Sequence, residues 1–264
     1  MSEIVKNCEA GGSRVALVTG SASGIGKAIT KKLLSRGFLV HICDTDQSLL
    51  QATLLENVGL CGTLTDVGNA KDIDELFADF RARHNRLDVL VNNVGIAGPR
   101  ANVENISDQD WERTLAVNVT GCFRMVKHSV PIMKRCGGGS IINISSTSTK
   151  TCPPMRSAYV VSKAAIEGFT RALARELGPF NIRCNGVLPG GVKNERFMRV
   201  MHQVAEEVNV PIETAVTQAR ENCSMKALIE MDEIASMVAF LVSDEALHIS
   251  GQLIAVDGNT EKEE

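Results

Sequence analysis

The chain reads as an α/β protein: a doubly wound, seven-stranded parallel sheet with helices on both faces and a small helical lid over residues 193–226. Two observations predict this. Short apolar runs of strand length alternate with longer segments of helical period along the whole 264-residue sequence. Strands apolar at every position are those buried on both faces, as in parallel sheets. The first such run also passes without a gap through a glycine-rich turn into a helix, the opening of a unit able to hold a phosphate on backbone N–H groups. No linker or internal repeat divides the sequence, so residues 1–264 are expected to form one domain.

The elements follow in order. Residues 14–19 (R-V-A-L-V-T) are the first strand, and Gly20-Ser21-Ala22-Ser23-Gly24-Ile25-Gly26 is the turn. A helix over residues 27–35 closes at Arg36-Gly37, and residues 38–43 form a second strand ending at Asp44. Residues 60–65 are a third strand, 69–83 a helix and 87–91 a fourth strand, followed by Asn92-Asn93-Val94-Gly95. Residues 107–135 hold helical period through Trp111, Leu115, Val119, Phe123 and Val126, with Asn118 inside. Residues 138–146 form a fifth strand ending in Ser145 and Ser146; residues 157–177 return to helical period and stop at Gly178-Pro179. A sixth strand spans 182–188 and leads into Pro189-Gly190-Gly191-Val192, from which the lid springs as one or two helices. Residues 232–242 are the last helix and 253–258 the seventh strand.

Composition narrows the function. With 44% hydrophobic and 22% charged residues the chain is that of a soluble globular protein. A net charge of −3, one Trp and one Tyr argue against a nucleic-acid partner. Eight cysteines are scattered without a C-x-x-C and five histidines form no ligand cluster, so reduced, mostly buried thiols and no metal are expected. Residues 1–12 are polar and mixed, a flexible start with neither signal core nor membrane span, so a cytoplasmic location with no membrane partner is expected.

The chemistry gathers at the carboxyl ends of the strands, where open α/β sheets bind ligands. Asp44, at the end of the second strand, can accept hydrogen bonds from both adenosine ribose hydroxyls and repel a 2′-phosphate. No Arg or Lys lies in the glycine turn or directly after Asp44, which favours NAD over NADP. Asp66 and Val67 follow the third strand at the same edge. Tyr159 and Lys163 stand at i and i+4 and share a helix face. Bringing a phenol from about 10 to about 7 takes roughly 4 kcal/mol, and one cation at ~4 Å in an effective dielectric near ~20 is worth about that much.

Together these residues resemble the classical short-chain dehydrogenases/reductases over nearly the whole chain. Thr19-Gly20-x-x-x-Gly24-Ile25-Gly26 is similar to the family's T-G-x-x-x-G-x-G, and Asn92-Asn93-Val94-Gly95 to its N-N-A-G with Val for Ala. Asn118, Ser146, Tyr159 and Lys163 fall where the family carries its Asn-Ser-Tyr-Lys tetrad, the spacing to Tyr159 selecting Ser146 over Ser145. The resemblance implies a Rossmann fold and hydride transfer between a secondary alcohol or ketone and a nicotinamide. Tyr159 would be the general acid/base; Lys163 would depress its pKa and bond the nicotinamide ribose. Ser146 would hold the substrate oxygen, and Asn118 a water of a proton relay. It implies cofactor contacts at Gly20, Ser23, Gly24, Ile25 and Gly26, with Asp44 on the ribose and Asp66 and Val67 bordering the adenine. Further contacts are implied at Asn92, Val94 and Gly95, and beside the nicotinamide at Pro189, Gly190 and Val192. It also implies a homotetramer through the helices around 107–135 and 157–178 and the last strand.

Two features depart from the pattern. Asn194 occupies the position of a Thr that touches the nicotinamide carboxamide in the family. In addition, Lys150, Arg156, Lys193, Arg196 and Arg199 all leave the catalytic edge. They read either as a solvated charged rim or as a clamp for a carboxylate, sulfonate or phosphate on the substrate, with Arg156 the best placed. The competing functions are a non-catalytic dinucleotide sensor or scaffold, and the extended relatives that rework nucleotide sugars. The filled tetrad argues against the first; the three-residue first glycine gap argues against the second.

Overall fold

The computed structural model describes residues 12–57 and 59–260. The expectations for residues 1–12 therefore fall, apart from Gly12, outside the described residues, as does Cys8. Seven parallel strands lie in the order β3-β2-β1-β4-β5-β6-β7. They are β1 (Val15–Thr19), β2 (Leu39–Asp44), β3 (Cys61–Leu64), β4 (Val89–Asn92), β5 (Gly139–Ile144), β6 (Ile182–Pro189) and β7 (Leu253–Val256). Because all pairings are parallel, every carboxyl end lies on one edge. Successive strands are added outward to one side of β1 and, from β4 onward, to the other, so the connections after β1 and β4 leave in opposite directions and open a crevice there.

Alternate side chains of each strand enter opposite layers of core, as the two-residue strand period requires. Ala16 and Val18 of β1 pack in one layer with Ile29 and Leu33 of α1 (Gly24–Ser35) and with Ile234, Val238 and Leu241 of α10 (Met231–Leu241). Val15 and Leu17 face the other layer. There they meet Phe77 and Phe80 of α3 (Ala70–Arg83), Met125 and Met133 of α5 (Cys122–Arg135), and Leu173 and Leu177 of α7 (Ser157–Leu177). This double coverage is why the strands read as unbroken apolar runs.

Three departures from the expected elements bear on the site. α1 begins at Gly24 rather than at residue 27, so two of the glycines belong to its first turn. A helix the sequence reading leaves unassigned, α2 (Gln47–Glu56), follows β2; Asp46 caps it by accepting from the Leu49 N–H at 3.0 Å. The expected long helix over 107–135 is divided into α4 (Asp108–Leu115), a π-helical stretch (Ala116–Gly121) and α5. A short α6 (Ser148–Thr151) precedes α7, and the segment after β6 folds as two helices, α8 (Glu195–Glu207) and α9 (Ile212–Glu221). No described helix is long and apolar enough to cross a membrane. Cys43, Cys61, Cys122, Cys136, Cys152, Cys184 and Cys223 are all free thiols, four of them buried.

Candidate active site

The turn after β1 is lined by backbone. Gly20 and Gly24 have φ of +61° and +56°, the left-handed region that side chains disfavour. A Cβ on Gly26 would collide with the Gly20 carbonyl oxygen, so α1 starts hard against the turn. The Ser23 hydroxyl makes no capping bond, although Ser23 stands at the cap position. Bare N–H groups at a helix start, in a cradle that a Cβ would fill, fit the pyrophosphate of a dinucleotide.

Asp44 is fixed at the mouth of this cradle. Its Oδ2 accepts from the Ala22 N–H at 2.9 Å, and its Oδ1 from the Thr45 and Asp46 N–H groups at 2.8 and 3.3 Å. Asp66 is already partnered: Arg113 donates to Oδ2 at 2.6 Å and the Gly68 N–H to Oδ1 at 2.8 Å. Val67 is buried beneath it and touches the π-helical stretch at Gly121.

The loops after β1 and β4 are stitched together by two residues that the sequence reading placed only as a strand end and a motif member. The Thr19 hydroxyl accepts from the N–H groups of Asn93 and Val94 at 3.0 and 3.1 Å. Asn93 returns two bonds, its Nδ2 donating to the Thr19 and Gly20 carbonyls, each at 2.9 Å. Asn92 instead turns into the sheet, where its Nδ2 donates to Asn143 Oδ1 at 2.9 Å. Its Oδ1 is buried without a partner. Gly95 lies where a Cβ would stand 2.9 Å from Lys163 Nζ.

Asn118 occupies the π-helical stretch, a feature that often marks a site because the extra residue per turn re-aims a side chain. Its Nδ2 donates to the Ile96 carbonyl at 3.0 Å and to Ser162 Oγ at 2.9 Å, while its Oδ1 accepts from the Ile96 N–H at 2.8 Å. The amide thereby locks the loop after β4 to α7.

The two serines after β5 part company. Ser145 Oγ donates to the Lys163 carbonyl at 3.2 Å and to Glu167 at 3.0 Å, bracing α7. Ser146 Oγ donates to Ser148 Oγ at 3.1 Å and accepts from the Ser148 N–H at 3.2 Å, and it stands on the Tyr159 side of the site, where it helps to lower the phenol pKa. Tyr159 and Lys163 are 8% and 3% exposed on one face of α7. Lys163 Nζ lies 5.9 Å from the Tyr159 ring centroid and donates to the Ile144 carbonyl at 2.7 Å. Burial by itself raises the phenol pKa; Lys163, Arg196, Ser146 and Arg156 outweigh it and hold the phenol below its ordinary value. Burial, with Arg196 adding to it, lowers the Lys163 ammonium against the opposing pull of Tyr159. The neighbouring Cys122 thiol is pushed up to about 12 by burial and is no nucleophile.

Beyond β6, Pro189 is held by Thr147, whose N–H and hydroxyl donate to its carbonyl at 3.1 and 3.2 Å. A Cβ on Gly190 would stand 2.7 Å from that of Asp257, and Val192 pairs with Ile229 in an isolated bridge. Asn194 Oδ1 caps α8 by accepting from the Phe197 N–H at 2.9 Å, so that oxygen is engaged in the helix start. Of the five basic residues near the edge, Lys150, Lys193 and Arg199 are exposed, Lys193 pairing with Glu230 at 3.6 Å. Arg156 and Arg196 turn inward, their guanidinium carbons 4.6 and 5.5 Å from the Tyr159 ring centroid. Arg196 also donates to the Gly95 carbonyl at 2.7 Å, and Arg100 holds Glu207 at the far end of α8 through bonds of 2.6 and 2.7 Å. Sequence pattern carries no signal for these closures, because α8 reaches the site only through the tertiary fold.

A family model described as enoyl-(acyl carrier protein) reductase matches residues 20–259. An uncharacterized oxidoreductase of Thermotoga maritima is 36% identical over 94% of this chain and 97% of its own length. The human dehydrogenase/reductase SDR family member 4 is 34% identical over 94% of this chain and 87% of its own. Among solved structures, an actinorhodin polyketide ketoreductase with NADPH superposes with a TM-score of 0.89 at 33% identity, covering 93% of this chain and 96% of that one. An NAD+-bound xylitol dehydrogenase does so with a TM-score of 0.87 at 28% identity, covering 93% and 98%.

The Thr19 stitch yields a test. Thr19→Val keeps the shape but leaves the N–H groups of Asn93 and Val94 without their acceptor, a loss of about 2 kcal/mol at the usual cost of an unmet buried donor. Urea unfolding is expected to report a lowered midpoint; an unchanged midpoint contradicts the stitch.

Proposed function

The chain belongs to the short-chain dehydrogenase/reductase family of oxidoreductases, and from that premise we propose that it is an NAD-dependent dehydrogenase or ketoreductase acting on a secondary alcohol or ketone of a small substrate. The observation that carries the reading is Tyr159, a buried phenol held below its ordinary pKa beside Ser146 and Lys163 at the carboxyl edge of the sheet. NAD, when bound, supplies the hydride acceptor, and in its reduced form the donor.

The chain's own residues bind, orient and move the proton. Ser146 Oγ hydrogen bonds the substrate oxygen and steadies the charge that develops on it. Tyr159 takes the hydroxyl proton as the alcohol becomes a ketone and returns it in the opposite direction. Lys163 and Arg196 lower the cost of the phenolate that this requires. Asn118, joined through Ser162 to α7, steadies the Lys163 side of the relay. Gly20, Ser23, Gly24, Ile25 and Gly26 would hold the pyrophosphate. Asp44 would hold the adenosine ribose, and Asp66 and Val67 would flank the adenine. The Asn92 backbone, Val94 and Gly95 would line the nicotinamide ribose with Tyr159 and Lys163. Pro189, Gly190 and Val192 would back the ring.

Residues 193–226 serve in this reading as the lid of a single domain, supported by the two bridges from α8 to the loop after β4. Assembly as a homotetramer is part of the same proposal. Phe123 on α5 and Val161 on α7, 48% and 45% exposed, supply apolar surface on the helices that would meet.

Tyr159→Phe removes only the hydroxyl. NADH absorbance with a panel of secondary alcohols is expected to fall by roughly a hundredfold or more in kcat, the usual worth of a general base, with NAD affinity retained. A variant with near wild-type kcat overturns the mechanism, and a wild-type chain that binds NAD without turning over any alcohol or ketone favours the sensor reading. Asp44→Ala tests the cofactor: the kcat/KM ratio of NAD to NADP is expected to drop at least tenfold, about 1.4 kcal/mol, and an unchanged ratio contradicts the role of Asp44.

A further inference from the structure

Arg156 is 7% exposed, yet among the described residues its guanidinium has no hydrogen-bond acceptor and no ion pair. Its nitrogens are not among the side-chain atoms sealed from solvent without a partner, so the guanidinium keeps a narrow edge that a ligand can reach. Among the described residues no carboxylate pairs with it, and the ionisable groups that act on it most strongly are Tyr159, Arg196 and Arg100. Arg196, across the same ring, spends Nη1 on the Gly95 carbonyl, and its Nη2 is buried with no partner. Arg100 differs, because Glu207 holds it in a two-bond fork. The pocket over Tyr159 therefore contains two guanidinium groups that the protein itself does not neutralise.

We infer that the substrate carries an oxyanion group close to its reacting carbon, and that Arg156 and Arg196 clamp it. The inference rests on the oxidoreductase reading and names its substrate class: small hydroxy or oxo acids, the acid being a carboxylate, sulfonate or phosphate. Two constraints favour this placement. Arg156 lies over the face of the Tyr159 ring, so a group bonded to it sits beside whatever oxygen meets the phenol. A guanidinium offers its N–H donors as a planar fork, which matches an oxyanion in two-bond geometry and gains strength where water is excluded. Arg196 belongs to α8, so an anion bound to its free Nη2 also ties the lid to the reacting centre.

The test is equilibrium binding by isothermal titration in saturating NADH, which pairs a reduced cofactor with an alcohol so that no turnover intervenes. The probes are 3-hydroxybutanoate, 2-hydroxypropane-1-sulfonate and glycerol 3-phosphate, with butane-1,3-diol as the neutral control. At least one anion is expected to bind tenfold or more tightly than the diol, and its identity assigns the acid. Arg156→Met is expected to bring that ratio to within about threefold, and Arg156→Lys to restore part of it. Because Arg156 makes no hydrogen bond or ion pair within the described residues, the melting temperature of Arg156→Met is expected to be unchanged or raised. The proposal is overturned if the diol binds as well as all three anions. It is equally overturned if Arg156→Met melts lower while the anion preference persists, which marks Arg156 as structural. Arg156-dependent anion binding without hydride transfer to NAD from any secondary alcohol supports the clamp and refutes the oxidoreductase reading, so the two fail separately.

Discussion

A lysine ammonium buried in an α/β core must be bonded, and the bond that Lys163 finds determines how the edge of this sheet is built. Its Nζ meets the Ile144 carbonyl at the end of β5, which fixes the register of α7 against the strand. Tyr159, one turn earlier on the same face, is thereby brought to Ser146, the second residue beyond that strand. Ser145 braces the same helix through its bonds to the Lys163 carbonyl and to Glu167. Asn118 reaches it from the π-helical stretch and carries the loop after β4 along with it. This one face of α7 thus joins two strand ends to the helix that carries the phenol, and the Lys163 charge offsets the burial that would otherwise keep the phenol protonated.

The charge balance around Tyr159 is lopsided, and that gives the site its character. Lys163, Arg196 and Arg156 surround a single phenol, while the nearby acids serve elsewhere: Glu207 on Arg100, Asp66 on Arg113, Glu167 on Ser145 and Thr149. Three cations around one phenol favour negative charge on it and on whatever binds beside it. At the opposite end of the crevice, Asp44 presents a fixed carboxylate where α1 presents bare N–H groups. The crevice therefore changes sign along its length, which suits a dinucleotide lying across the switch point with its reacting end toward the basic pocket.

Most of the sheet was legible in the sequence because parallel strands buried on both faces leave unbroken apolar runs. The candidate site residues could be named from sequence because the glycine turn and the Tyr159–Lys163 pair are short-range patterns and the others stand at strand ends. Where reading failed, the cause was tertiary. α2 carries only Leu50 and Thr53 into the core, too thin a pattern to announce a helix, although Asp46 was there to cap it. The break at Ala116–Gly121 leaves no mark in a segment whose apolar period runs through it; Asn118 is turned inward by the bond to Ile96, and Ile96 lies far away in sequence. Arg196 could be seen only as one of five basic residues on a rim. Its selection, together with Arg156, depends on how α8 folds back over Tyr159.

Stabilisation of the Tyr159 phenolate by this pocket can be measured directly, because the chain contains one tyrosine. Tyrosinate absorbance followed against pH in the folded protein reports that residue alone. The midpoint is expected below the ordinary phenol value of about 10, and to move upward in Lys163→Met. A midpoint at or above the ordinary value in the native protein, or one indifferent to Lys163, contradicts the account.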